Sequence, residues 1–498
     1  MEIRLNLRST LAAALLLPAA GCAVLPPEIP EAAECRANFL GLDESVEAAG
    51  VRDGGAHAIP GFPYLRSDRF LASFRREAAD GEAFDTWVEH LRRLDLRARG
   101  AELRNLGWDD PSEELRHLDR CGRDWAARDL ADPRRRALLR ENAAVPDDYS
   151  LLKRTLGLYP LAAFFLNIGI GSFNEDVQED YATPLGELKS GGPLVLWEPI
   201  PPAVGAPSGA TGSPRGVGAP SGATGATGAT GPWARDALGI PMLTDDDLRA
   251  LAAVHAPRWL VETAGDFDRI GAPVLKAGQP SLDTARPVTW FLPAHTRFGG
   301  EVLVQLVYVA WFSERPKSGS LDPYGGTLDG VVWRVTLDAA GEPLLYDTIH
   351  ACGCYHYYYV PERAQALERR RQGGFWDEPV LFPQQAPATP FAIRLHARTH
   401  YVRRLVPLAD VAASQVALYE SADYAELLSL PDGAGGRRSL FREDGLVRGT
   451  GRLERFFLWP AGIKSAGAMR QWGRHATSFV GRSHFDDPRM LDRLFEPQ

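Results

Sequence analysis

Two runs near the middle of the chain, Val302-Leu303-Val304-Gln305-Leu306-Val307-Tyr308-Val309 and Val331-Val332-Trp333-Arg334-Val335-Thr336-Leu337, constrain the fold more than any other feature. Both are dense in β-branched and aromatic residues, which suit a pleated, buried surface. Gly325-Gly326 and Ala340-Gly341 supply turns between and after them. No helical period separates the runs, and strands that follow one another without crossover helices pair antiparallel. Upstream the period changes. Phe84, Trp87, Leu91 and Leu94 recur at three- and four-residue spacing, one face of a helix. Leu115, Leu118, Trp125 and Leu130 continue it after a break at Asp110-Pro111. The expected class is α+β: a helical amino-terminal region, then a mainly antiparallel β domain, sheet or sandwich, with a carboxy-terminal helix.

Punctuation along the 498 residues divides the chain further. Residues 22–60, rich in Pro, Gly, Ala and acids, read as a tether, and 61–180 as the helical region. Pro146-Asp147-Asp148 opens a helix leading into Leu156–Leu166, the most apolar stretch after the leader. Pro160, Asn167 and Gly169 interrupt it, which predicts a buried core segment rather than a membrane span, with a surface dipping into lipid as the alternative. Residues 181–243 read as irregular. They carry a low-complexity insert at 203–232, where Gly205–Gly212 recurs at 218–225, the composition of a flexible loop. Residues 244–430 form the expected β-rich domain, opened by a helix with Thr244 and Asp247 as a capping box and a stop near Pro257. In 431–498 a strand at 455–459 precedes a helix through Met469, Trp472, Ala476 and Phe479.

The first residues have their own pattern. Arg4 and Arg8 precede Ser9–Ala20, a small-residue and apolar run too short to span a bilayer, which closes on Ala19-Ala20-Gly21-Cys22. This resembles the lipobox of bacterial lipoproteins, with Ala19 where the family usually has Leu. The resemblance covers residues 1–22 and implies removal of 1–21, acylation of Cys22, and a membrane partner through that anchor. Ala23 after the cysteine, rather than Asp, resembles outer-membrane sorting, which places the body in the periplasm.

Composition narrows the function classes. With 45% hydrophobic and 24% charged residues the chain has what a packed body needs, and its net charge of −9 argues against a nucleic-acid binder. G-x-S-x-G, phosphate-loop, H-E-x-x-H and C-x-x-C motifs are missing, which disfavours the common serine hydrolases, P-loop enzymes, zincins and thioredoxin-like proteins. Beyond Cys22, the preferred disulfide joins Cys35 to Cys121, both in the amino-terminal third.

The candidate chemistry centres on His350-Ala351-Cys352-Gly353-Cys354-Tyr355-His356. A tight turn at Gly353 brings His350 opposite His356, with both sulfurs at the tip, a Cys2His2 set for zinc or a soft site for copper. A Cys352–Cys354 disulfide, or burial without chemistry, remains the alternative. In 391–404, read as one strand, Arg394, His396, Arg398 and His400 form a cationic stripe, an anion-binding face or a solvated one. Asp486 is placed to orient His484, and Asp322 and Asp329 flank a hairpin turn. Three functions follow: an envelope lipoprotein with a metal or small-ligand site in its β domain, a structural lipoprotein docking an envelope partner, or an enzyme using His356, His400 or His484.

Overall fold

The computed structural model describes residues 30–201, 233–370 and 378–497. The leader, Cys22 and the repeat at 203–232 lie outside the described residues. The front of the molecule is helical: α1 (Pro30–Ala49), the hairpin β1 (His57–Ile59) and β2 (Phe62–Ser67), then α2 (Arg69–Ala72), α3 (Gly81–Asn105), α4 (Ser112–Asp129), α5 (Pro133–Asn142), α6 (Leu151–Leu156) and α7 (Tyr159–Ala182). The helical periodicity is real. Phe84, Trp87 and Leu91 of α3 and Leu118 of α4 share a core with Phe39, Phe62 and Tyr64.

The tether expected at 22–60 is corrected for its described part. Phe39 and Val46 of α1 are buried, and a disulfide joins Cys35 to Cys121 of α4. The cross-link, this sparse apolar face and an ion pair of Asp43 with Arg99 hold the helix on the body. Ser150, rather than an aspartate, caps α6 through its bond from Lys153 N–H.

Behind the helices, the described residues place ten strands in one sheet, ordered β11-β10-β9-β8-β7-β14-β3-β4-β12-β13. These are β3 (Leu194–Pro199), β4 (Arg258–Glu262), β7 (Val288–Phe298), β8 (Glu301–Arg315), β9 (Gly326–Leu337), β10 (Pro343–His350), β11 (Tyr357–Tyr359), β12 (Phe391–Leu395), β13 (Val402–Pro407) and β14 (Gln415–Asp423). A separate hairpin pairs β5 (Ala272–Lys276) with β6 (Gln279–Asp283). Within the sheet the pairs β7/β14, β14/β3 and β4/β12 are parallel and the other six antiparallel. The mainly antiparallel domain is therefore a sheet rather than a sandwich, and β3 gives part of the stretch read as irregular a place inside it.

The sheet curls. Tyr346 of β10 meets Phe391 of β12 at 5.3 Å between rings, although the two strands are far apart in its order. Both faces are covered, so every residue from Val302 to Phe312 of β8 is buried. One face packs Trp259, Trp333 and Tyr359 inside the curl, the other packs Phe441, Met469 and Phe485 against Val309 and Trp311. Double coverage explains why β8 reads as a continuous apolar run instead of an alternating one.

Thr244 and Asp247 do form a capping box, on α8 (Asp245–Val254). Two other expectations fail. The strand at 455–459 is replaced by short 3-10 turns, and the helix through 469–479 by irregular chain wrapped on the sheet, with a terminal α9 (Met490–Leu494). Gly467, Gly473 and Gly481 all have positive φ, which a helix cannot accommodate. The apolar stretch at 156–166 is mostly not buried either: Leu156, Leu158, Leu161, Phe164 and Phe165 face outward. Tyr181, at the far end of α7, is the residue that enters the core, bonding Tyr359 and the Val402 carbonyl.

Candidate functional site

The chain reverses after β10 because Gly353 N–H bonds the His350 carbonyl at 2.7 Å and His350 N–H bonds the Cys354 carbonyl at 2.9 Å. Gly353 has φ +96°, the left-handed region in which a side chain is strained. Arg470 braces the turn, with its backbone N–H on the Ala351 carbonyl and its Nε on the Cys352 carbonyl, at 2.8 and 3.0 Å.

The turn exists, but its register overturns the metal reading. Thr348 pairs with Tyr357, which sets Ile349, not His350, opposite His356. A one-residue offset sends the two histidines to opposite faces of the sheet. Cys352 and Cys354 are buried free thiols, so the alternative disulfide is not formed. Among the described residues no group of three or more His, Cys, Asp or Glu is arranged to hold a metal ion. The Cys2His2 set of His350, Cys352, Cys354 and His356 for zinc or copper is therefore corrected.

Each histidine has a different acid. His356 Nε2 donates to Asp347 at 2.7 Å and its Nδ1 accepts from Tyr358 at 3.0 Å, while Asp347 is also bound by Arg334. Burial holds His356 below its usual pKa, outweighing Asp347. His350, inside the curl, has Nδ1 3.6 Å from Asp329 of β9. Burial again wins and lowers its pKa.

Asp329 is the centre of this inner cluster. Its Oδ2 accepts from His400 Nδ1 at 2.8 Å and its Oδ1 lies 3.2 Å from Arg452 Nη2, while His400 Nε2 lies 3.2 Å from Asp268. Phe312 stacks on His400 at 3.9 Å between ring centres. Burial alone would push Asp329 upward; Arg452, His350 and His400 outweigh it and hold the carboxyl well below its usual range. For His400 burial is likewise outweighed, by the two acids, and its pKa is raised. Its acids and histidines come from β9, β10, the β12–β13 turn and the segment after β4, with Arg452 added from the carboxy-terminal wrap, so the cluster fastens one end of the curled sheet to the other.

The cationic stripe is also corrected. β12 stops at Leu395, and His396 to Tyr401 form a turn in which Arg398 and His400 take positive φ. Arg394 is buried against Glu262, which Arg403 shares. His396 bonds Thr399 and the Ala397 carbonyl, and only Arg398 points outward. Alternation cannot continue through a turn, so these four residues never share a face. His484 is not oriented by Asp486 either. Its Nε2 lies 3.5 and 3.6 Å from Asp147 and Asp148, whereas Asp486 pairs with Arg69.

Over the inner cluster lies an aromatic layer. Tyr401 donates to Tyr355 at 2.9 Å, Arg315 sits 5.0 Å over the Tyr401 ring and 5.3 Å from Tyr324, and Phe173 of α7 covers Tyr355. Glu454 borders this layer, with burial pushing its carboxyl up to about 7. His400, Asp268 and Asp329 are each 0% exposed, so the cluster can hold charge inside the fold but does not meet a solvent-borne substrate.

Asp268, Arg452, Arg315 and Glu454 escaped sequence reasoning. Asp329 had one legible signal. It shares strand parity with Val331, Trp333 and Val335, and an acid on an apolar face calls for a buried partner. Compared with protein-family models, curated proteins and solved structures, the chain matches none of them.

Proposed function

We propose that the chain is a cell-envelope lipoprotein, exported by residues 1–21, held on the outer membrane through acylated Cys22, and built to bind or brace rather than to catalyse. The observation that carries this reading is the Cys35–Cys121 disulfide, close behind Cys22 in the sequence. Such cross-links persist in oxidising compartments and are rare in the cytosol. The enzymatic alternative loses support because His356 has both ring nitrogens bonded inside the fold and His400 is fully buried against Asp329; His484, whose Nε2 makes no hydrogen bond, is not held in this way. The binding surface on this reading is the Tyr324–Tyr355–Tyr401 layer around Arg315, where Tyr324 is the open member.

Metabolic labelling with palmitate tests the anchor. The wild-type chain is expected to take up label and to mature at residue 22, and Cys22→Ser to do neither. An unlabelled wild type, or a labelled Cys22→Ser chain, rejects the reading.

A further inference from the structure

Apolar side chains on a monomer's surface are ordinary when scattered, and informative when contiguous and protruding. Leu151, Leu152, Leu156 and Leu158, at the corner of α6 and α7, are each 65–69% exposed. On α7, Leu161, Phe164, Phe165 and Ile168 follow at three- and four-residue spacing, one helical stripe turned outward, while Ala163 on the opposite side is buried. Phe456 and Phe457 extend the surface, because the α6–α7 corner seats Gly157 against Pro460 with no room for a Cβ.

We propose that this corner docks on a phospholipid bilayer, its apolar stripe entering the acyl boundary in the plane of the membrane. This rests on the lipoprotein reading for its source of lipid. Three observations favour lipid over another occupant. Cys22 precedes the first described residue, Pro30, by so little chain that acylation holds the start of α1 within about 28 Å of the bilayer, which keeps lipid close to the body. The surface is flanked by Lys153, whose Nζ reaches the Ile463 carbonyl at 3.5 Å, and by Arg455, which lies over the Phe456 ring; neither is paired with a carboxylate among the described residues, in a chain whose net charge is −9. Local cations of this kind meet anionic headgroups. Trp459 stands at the edge of the patch, where an indole suits the headgroup level.

The geometry also says how the helix lies. No helix of the described residues is long and apolar enough to cross a membrane. The uncharged half of α7 ends before Glu175, Asp176 and Glu179, and the helix is tied down beyond them by Tyr181 and by Asp180 with Arg403. Such a helix lies on the surface rather than spanning it.

The test uses the full mature chain carrying Cys22→Ser, so that no acyl chain contributes and the anchor itself is not in question. It is expected to sediment with vesicles of phosphatidylethanolamine and phosphatidylglycerol. Leu156→Asp with Phe165→Asp should weaken binding about tenfold or more, since a charge cannot follow the stripe into lipid. Val254→Asp on α8, equally exposed but outside the patch, should leave binding unchanged. Both substituted positions are exposed, and an unchanged thermal midpoint confirms that the variants are folded. A chain that stays in the supernatant, or a double variant that binds as the parent does, overturns the proposal. So does a dimer that the double variant dissolves without any vesicle binding, which would assign the surface to a second copy.

Discussion

Asp329 is held well below its usual pKa where water does not reach, and the groups that hold it there are Arg452, His350 and His400. Asp329→Ala strips the buried Arg452 of its acid and His400 of one of its two, Asp268 remaining. Breaking a buried pair from one side costs about 3–5 kcal/mol, and urea unfolding should show a loss of that size. Glu454 behaves in the opposite sense. Burial raises its pKa from 4.5 to about 7, so the folded chain holds a proton that the unfolded chain releases. Its contribution is most favourable below the unfolded pKa and is lost as pH rises through 7. Glu454→Gln removes that dependence. Relative to the parent it should gain about 3 kcal/mol at pH 8, the gain shrinking to nearly nothing by about pH 4.5. Thermal midpoints of both proteins across that range check the sign.

The turn after β10 shows how an element can be legible while its consequences are not. His350, Gly353 and His356 announce a reversal, and the reversal is present. Whether the histidines meet depends on a single residue of register, because side chains alternate with period two. That register is the pairing of Thr348 with Tyr357, and the turn that follows it is held by Ala351 N–H on Gly330 and by Arg470, contacts that come from distant sequence. Gly353→Ala tests the element directly. The added methyl would meet the Ala476 carbonyl and place a side chain at φ +96°. Strain of that kind costs about 1–3 kcal/mol before the collision is counted. Thermal unfolding should therefore register at least that loss. The stretch at 391–404 failed for a related reason: β12 is buried on both faces, Arg394 included, and the alternation was extended through a turn that only β4 and Asp268 reveal.

Across the whole molecule, the Cys35–Cys121 cross-link fastens α1 to the helical front over a sequence separation of 86 residues. Closing so long a loop removes freedom from the unfolded chain. Reduction, or Cys35→Ala with Cys121→Ala, should lower stability by about 2–4 kcal/mol in denaturant titration. The curled sheet and its inner cluster belong to the same scale, since Tyr346 and Phe391 touch only when distant strands of the sheet come together. Local pattern sufficed for the α+β class, the helices around Phe84–Leu91, the β8 and β9 runs and the Thr244 cap, because periodicity and capping act between near neighbours. It did not suffice for the α1 helix, the irregular carboxy-terminal wrap, the outward stripe of α7 or the partners of Asp329. Those were decided by tertiary structure, because burial, strand register and charge pairing depend on residues that folding alone brings within contact.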